Sequence, residues 1–172
     1  TGSGVIALTM KLEQPALEVV ASDLSLGAIR IAAENARKFG QSKVRIERHN
    51  LFSPKLLAER WDLVVSNPPY LEFGKDKIAP DVAAWEPRAA LEPLLSAKVG
   101  KDVERAAWCA ERILAGSEIC RPLYTALELS PRVAIYLEGR WRKHLSVKRI
   151  WREPDLAGRK RFLLVAWQDG LL

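Results

Sequence analysis

Short apolar runs of strand length alternate along this chain with longer segments at helical spacing. That alternation restricts it to a mostly parallel sheet covered by helices on both faces. The pattern predicts an amphipathic helix over Val5 to Leu12, then a short buried strand, Leu17 to Ala21, ending at Asp23. A helix from Leu24 to Phe39 follows, with Ile29, Ala32, Ala33 and Ala36 on one face and Gly40 as its stop. Val44 to Arg48 alternates as a strand, and Trp61 to Ser66 is the next. A long irregular connection from Leu71 to about Lys98 leads to a helix around Asp102 to Leu114. Leu123 to Glu128 reads as a strand and Val133 to Lys143 as a helix. The end reads as an antiparallel pair, Val147 to Arg152 and Arg161 to Trp167, joined by Pro154-Asp155-Leu156-Ala157-Gly158.

With 172 residues, 48% hydrophobic, the chain has enough apolar side chains for one domain with a proper core. No run approaches the roughly 20 apolar residues that span a bilayer, which argues against a membrane protein. Cys109 and Cys120 stand outside any metal spacing and read as reduced thiols of an intracellular protein. His49 and His144 have no companions that suggest a metal site. The net charge is +6 and the isoelectric point about 9.5. Much of the excess lies in Arg140 to His144, Lys148-Arg149, Arg152 and Arg159 to Arg161. Such a surface suits an RNA-rich neighbour such as a ribosome, or an acidic protein, and equally a plain solvated face.

Ligands bind such sheets at the carboxyl ends of the strands, and the candidate residues fall there. Asn67-Pro68-Pro69-Tyr70 directly follows Leu63-Val64-Val65-Ser66. Two prolines fix φ near −65° and lack N–H groups, so the backbone turns rigidly. The Asn67 oxygen and a neighbouring main-chain carbonyl can accept the two N–H bonds of a planar –NH2 group while the Tyr70 ring covers its face. The same tetrapeptide can be a simple proline turn. Thr1-Gly2-Ser3-Gly4 at a helix start reads as part of a nucleotide-binding loop, or as a glycine turn capping a helix. With no initiator Met, the chain reads as a fragment cut within that loop, lacking a first hydrophobic strand. Asp23 is placed to accept the hydroxyls of a ribose or to cap the helix after it. Asn50 follows the third strand, where an amide can pair with an adenine edge, and Leu51 and Phe52 can pack on the base or lie in the core.

Thr1 to Leu8, Asp23, Asn50-Leu51-Phe52, Ser66 to Tyr70, Trp85-Glu-Pro-Arg-Ala-Ala-Leu91 and Asp155-Leu-Ala-Gly-Arg159 together resemble, in order and spacing, the HemK/PrmC glutamine methyltransferases. Those enzymes methylate class 1 peptide chain release factors. The resemblance implies an α/β, Rossmann-like class I methyltransferase fold using S-adenosylmethionine. It implies a mostly parallel, seven-stranded sheet with a terminal antiparallel pair, residues 1–172 forming a partial catalytic domain. The first strand and the family's N-terminal helical domain would be missing. It also implies that Thr1, Gly2, Ser3 and Gly4 cradle the methionine part of the cofactor, that Asp23 takes the ribose and that Asn50 and Leu51 border the adenine. Asn67, Pro68, Pro69 and Tyr70 would hold the substrate glutamine of a Gly-Gly-Gln motif, Asn67 also meeting the cofactor. No metal enters this scheme.

Several segments depart from the family pattern. Glu92 to Gly100 replaces a glycine-rich run, Asn50 replaces an acidic residue, and Glu128-Leu129-Ser130 stands where Glu-Ile-Gly is usual. These departures suggest a divergent branch, placed in the mitochondrial matrix and acting on a mitochondrial release factor, with the cytoplasm as the alternative. Glu86 and Arg88 are expected to brace the substrate loop as an ion pair. An adenine-N6 methyltransferase, whose substrate amine presents the same two donors, is the main alternative. A non-catalytic ribosome- or RNA-binding module is another.

Overall fold

The computed structural model describes residues 1–50, 59–71, 76, 78–93 and 102–168. Its contacts separate into two compact units, Thr1–Leu56 and Leu57–Leu172.

In the first unit, helix α1 (Val5–Glu13) precedes strand β1 (Val20–Asp23), helix α2 (Leu26–Lys38) and strand β2 (Arg45–Arg48). β1 and β2 pair in parallel from Val20 opposite Arg45 to Asp23 opposite Arg48. The right-handed crossover rule for such a unit leaves α2 to cover one face. Its alanines do so: Ala32 and Ala36 are buried, and Ala7, Leu8, Ala21, Ala36 and Val44 form a small core. The sequence pattern starts the strand at Leu17, three residues early. Leu17 instead closes a turn, its N–H donating to the Gln14 carbonyl, while its own carbonyl accepts from the Lys11 ammonium. The helix expected from Leu24 begins at Leu26 because Ser25 is its N-cap, accepting from the Ala28 N–H at 3.3 Å.

The second unit holds β3 (Leu63–Ser66), α3 (Pro80–Trp85), α4 (Arg88–Leu91), α5 (Val103–Cys120), β4 (Tyr124–Glu128), α6 (Pro131–Trp141), β5 (Arg149–Pro154) and β6 (Lys160–Ala166). Its sheet has the order β3-β4-β6-β5. β3 and β4 are parallel, while β6 runs antiparallel to both of its neighbours. The chain thus ends in the expected antiparallel pair, with the last strand inserted beside β4. The core lies between this sheet and helices α5 and α6, where Leu114, Leu127, Leu129, Val133, Leu137, Leu163 and Val165 are fully enclosed.

Helix α5 runs six residues past the expected end at Leu114. Gly116 and Ser117, beyond that expected end, are both buried. Ser117 Oγ is 2.8 Å from the Thr125 hydroxyl, which itself accepts from Trp167 Nε1 at 2.9 Å. This buried polar chain is satisfied inside the core, and Arg121, with φ of 45°, ends the helix in the left-handed conformation. Helix α6 starts two residues early because Ser130 accepts from the Val133 N–H and Pro131 fits the first helical position. Short helices α3 and α4 occupy part of the connection that the pattern leaves irregular. Among the described residues no helix is long and apolar enough to cross a membrane.

Candidate active site

In the first unit Thr1 to Gly4, Asp23 and Asn50, six of the predicted cofactor residues, gather at the carboxyl end of the β1-β2 pair, whereas Asn67 belongs to the second unit. Asp23 is the last residue of β1, and its carboxylate ties the glycine turn down. Oδ2 accepts from the Gly2 N–H at 2.9 Å and from the Thr1 ammonium at 2.8 Å; Oδ1 accepts from the Ser25 N–H at 2.9 Å. Burial pushes the Asp23 pKa up, but the ammonium and the two N–H groups outweigh it and hold the carboxyl below its ordinary value. Asp23 therefore does not cap α2; Ser25 does. Gly2 and Gly4 have φ of 56° and 84°. A Cβ on Gly4 would lie 3.1 Å from the Ala32 Cβ, so glycine is what lets α2 approach the turn. Ser3 offers its carbonyl to Asn35 Nδ2 at 2.9 Å, a second tie between turn and helix. His49 donates its backbone N–H to the Asp23 carbonyl at 3.0 Å, and exposed Asn50 follows at the same strand edge. Leu51 and Phe52 lie outside the described residues.

This arrangement fits a cofactor with a ribose. A Cβ built on Gly2 meets nothing within 4 Å, so the turn presents bare backbone on that side. Asp23 Oδ1 accepts the Ser25 N–H, which leaves it room for a hydroxyl.

In the second unit Asn67 to Tyr70 leave the carboxyl end of β3 with Asn67 exposed and Pro68 buried. The register pairs Ser66 with Leu127, so Asn67 stands level with Glu128 at the end of β4. The Asn67 amide donates to Glu128 Oε2 at 3.2 Å. Arg161 stands 3.6 Å from Glu128 Oε1 and donates to the Tyr70 hydroxyl at 2.6 Å. The loop's far end is fixed by the Leu71 N–H, which donates to the Leu91 carbonyl of α4 at 2.9 Å. Around that helix the expected Glu86–Arg88 pair gives way to a pair four residues apart, Arg88 with Glu92 at 2.8 Å, the natural spacing on a helical turn.

Sequence reasoning missed Glu128 and Arg161 as neighbours of the loop. Their signal was positional: Glu128 ends the strand beside β3, and ligands bind at such ends. Arg161 reads in sequence as the start of the last strand and part of a basic cluster. The Asp155-Leu156-Ala157-Gly158-Arg159 segment is the β5-β6 hairpin. Asp155 Oδ1 accepts from the N–H groups of Ala157 and Arg159, and its Oδ2 pairs with the Arg159 side chain at 3.0 Å.

The basic clusters are largely paired. Arg140 meets Glu111, Arg142 and Arg152 share Glu138, His144 lies 3.5 Å from Glu118, and Arg159 and Arg161 have the partners above. The two thiols are free; burial pushes Cys109 up to about 11, and Cys120 is raised for the same reason.

A parallel α/β arrangement with a reversed last strand, a glycine turn tied to a strand-end carboxylate, and a proline-stiffened Asn loop define the class I methyltransferase fold. Known proteins agree. Residues 1–84 match the methyltransferase small domain. The resemblance to the release factor glutamine methyltransferases holds over half of the chain. That of Cereibacter sphaeroides is 42% identical over 95 residues, covering 54% of this chain and 34% of its own. That of Neisseria gonorrhoeae is 40% identical over 92 residues, covering 53% and 33%. The chain thus covers about a third of the length of these relatives. Among solved structures, the N-terminal domain of human METTL16 in complex with SAH superposes with a TM-score of 0.63 at 16% identity, over 98% of this chain and 58% of that one. TrmN from Thermus thermophilus gives 0.61 at 18%, over 98% and 42%.

Proposed function

We propose that this chain is the catalytic part of an S-adenosylmethionine-dependent methyltransferase that modifies the side-chain amide nitrogen of glutamine, in the Gly-Gly-Gln motif of a class 1 release factor. The observation that carries the reading is the Asn67 loop: an exposed carboxamide on a rigid double-proline corner, anchored through Tyr70 and Leu71. The similarity to release factor glutamine methyltransferases supports the choice of substrate. We place the enzyme in the mitochondrial matrix, on the basic composition and the divergent segments, with a mitochondrial release factor as partner and the ribosome nearby.

A carboxamide nitrogen is a poor nucleophile because its lone pair is delocalised into the carbonyl. The cofactor supplies an electrophilic methyl on a sulfonium with a neutral leaving group. The chain's own contribution is then placement. The turn of Thr1 to Gly4 and the Asp23 carboxylate hold the cofactor, with Asn50 at its adenine. The Asn67 oxygen and the Pro68 carbonyl accept the two amide protons and fix the direction of the nitrogen. Orientation of this kind recovers at best roughly 7 to 11 kcal/mol of barrier. The nitrogen becomes acidic once methylated, so its proton is lost without a strong base among these residues.

Labelled cofactor incubated with the full-length protein and a release factor tests this directly. Label in the Gly-Gly-Gln peptide, abolished by Asn67→Ala with cofactor binding intact, is the expected result. Label in adenine of a nucleic acid instead would move the assignment to N6 methylation, and an Asn67→Ala variant of normal activity would remove the loop from the mechanism.

A further inference from the structure

Asn67 carries an ambident group. A carboxamide has an acceptor oxygen at one corner and an –NH2 donor at the other, similar in shape and opposite in function. A loop that must accept protons from a substrate works only with the oxygen outward. Glu128 sits level with Asn67 on the adjacent strand and takes the Asn67 –NH2 at 3.2 Å. A carboxylate can only accept, so it can only be met by that corner of the amide. Arg161 can only donate; it stands 3.6 Å from the other Glu128 oxygen and ends on the Tyr70 hydroxyl at 2.6 Å. The chain Tyr70, Arg161, Glu128, Asn67 therefore alternates donor and acceptor around the loop and returns to it.

We infer that Glu128 is a positioning residue that sets the polarity of Asn67: by engaging the amide –NH2 it presents the amide oxygen to substrate and makes the loop selective for groups that donate two protons, excluding carboxylates and other pure acceptors. This rests on the proposed function for the identity of the substrate but not for the geometry. It accounts for discrimination between glutamine and glutamate by a loop that holds no charge of its own. Arg161 keeps the Glu128 carboxylate compensated and spaced from the reacting group.

The test is an exchange of functional groups in the full-length protein. Asn67→Asp sets a second carboxylate against Glu128, and methylation of a Gly-Gly-Gln peptide should fall about 10- to 100-fold. In the double variant, Asn67→Asp with Glu128→Gln, the new amide donates to the introduced carboxylate and an oxygen again faces outward. Roughly tenfold or more of the loss should return. A purely structural Glu128 gives no such recovery, so a double variant no better than Asn67→Asp overturns the inference. A second reading needs no activity: the side-chain 15NH2 resonances of Asn67, identified by their loss in Asn67→Asp, should shift in Glu128→Ala, and unmoved resonances overturn it equally. If the wild type methylates adenine and not glutamine, the proposed substrate falls while the same variants, measured on adenine, still decide the role of Glu128.

Discussion

Arg161 reaches the hydroxyl of Tyr70 at 2.6 Å across a sequence separation of 91 residues. It ties the proline corner at the end of β3 to the start of β6. The bond is long-range in sequence and short in space, and it makes the terminal hairpin part of the loop's support.

Replacing Arg161 by Met should therefore act on the loop and leave the glycine turn alone. A charged donor lost from a part-buried hydroxyl costs about 1.5–3 kcal/mol of local order. We expect kcat for peptide methylation to drop about tenfold or more, with cofactor affinity unchanged by calorimetry. Equal loss in both would show that the variant had disturbed the whole fold.

Asp23→Asn keeps the shape of the strand end but weakens its hold on the glycine turn, and with it the proposed ribose site. Cofactor affinity should fall, while affinity for the release factor holds. In a chain that starts at Thr1, whose ammonium faces Asp23, the folded carboxyl has a lowered pKa, so its stabilisation is fully present above the unfolded value of about 3.8 and is lost as pH falls through the folded one. The Tm difference between wild type and Asp23→Asn should thus be largest near neutrality and shrink in acid. A difference that grows with acidification contradicts this.

Thr125→Val removes the hydroxyl that links Ser117 to Trp167 in the core. The indole N–H is then buried without a partner, and stability should fall by about 1–3 kcal/mol despite the near-equal volume. Chemical denaturation of the two proteins measures it. An unchanged midpoint would mean that the indole finds another acceptor.

Cys109 should be slow to alkylate. With the thiol pushed up to about 11, only a small fraction is thiolate near neutrality, and its rate should rise about tenfold per pH unit through that range. Cys120, only half-buried, should label first. Mass mapping after timed iodoacetamide treatment resolves the two.

The fold was legible where local chemistry agrees with tertiary demand. Alternating apolar runs located all six described strands, and Gly40 and the alanine stripe of α2 marked that helix. Boundaries failed where a distant partner decides. Leu17 looks like a strand residue, but Lys11 claims its carbonyl; the helix expected to stop at Leu114 runs on past Ser117, whose hydroxyl Thr125 meets in the core. At the candidate site, Asn67 stood out because its motif is contiguous and Asp23 because it closes a strand. Glu128 and Arg161 did not, since only the β3-β4 and β4-β6 registers bring them to the loop. The Glu86–Arg88 pair failed for a simpler reason, because the helical turn at Arg88 favours the partner four residues on.

The pairing of the basic clusters bears on handling the protein as much as on its biology. An arginine already facing a carboxylate at contact distance contributes little field a Debye length away, roughly 8 Å at physiological salt. The isoelectric point reports only the net charge, whereas a polyanionic resin feels the local field of each cluster, which pairing cancels. The protein should leave heparin or phosphocellulose at lower salt than its isoelectric point of about 9.5 suggests.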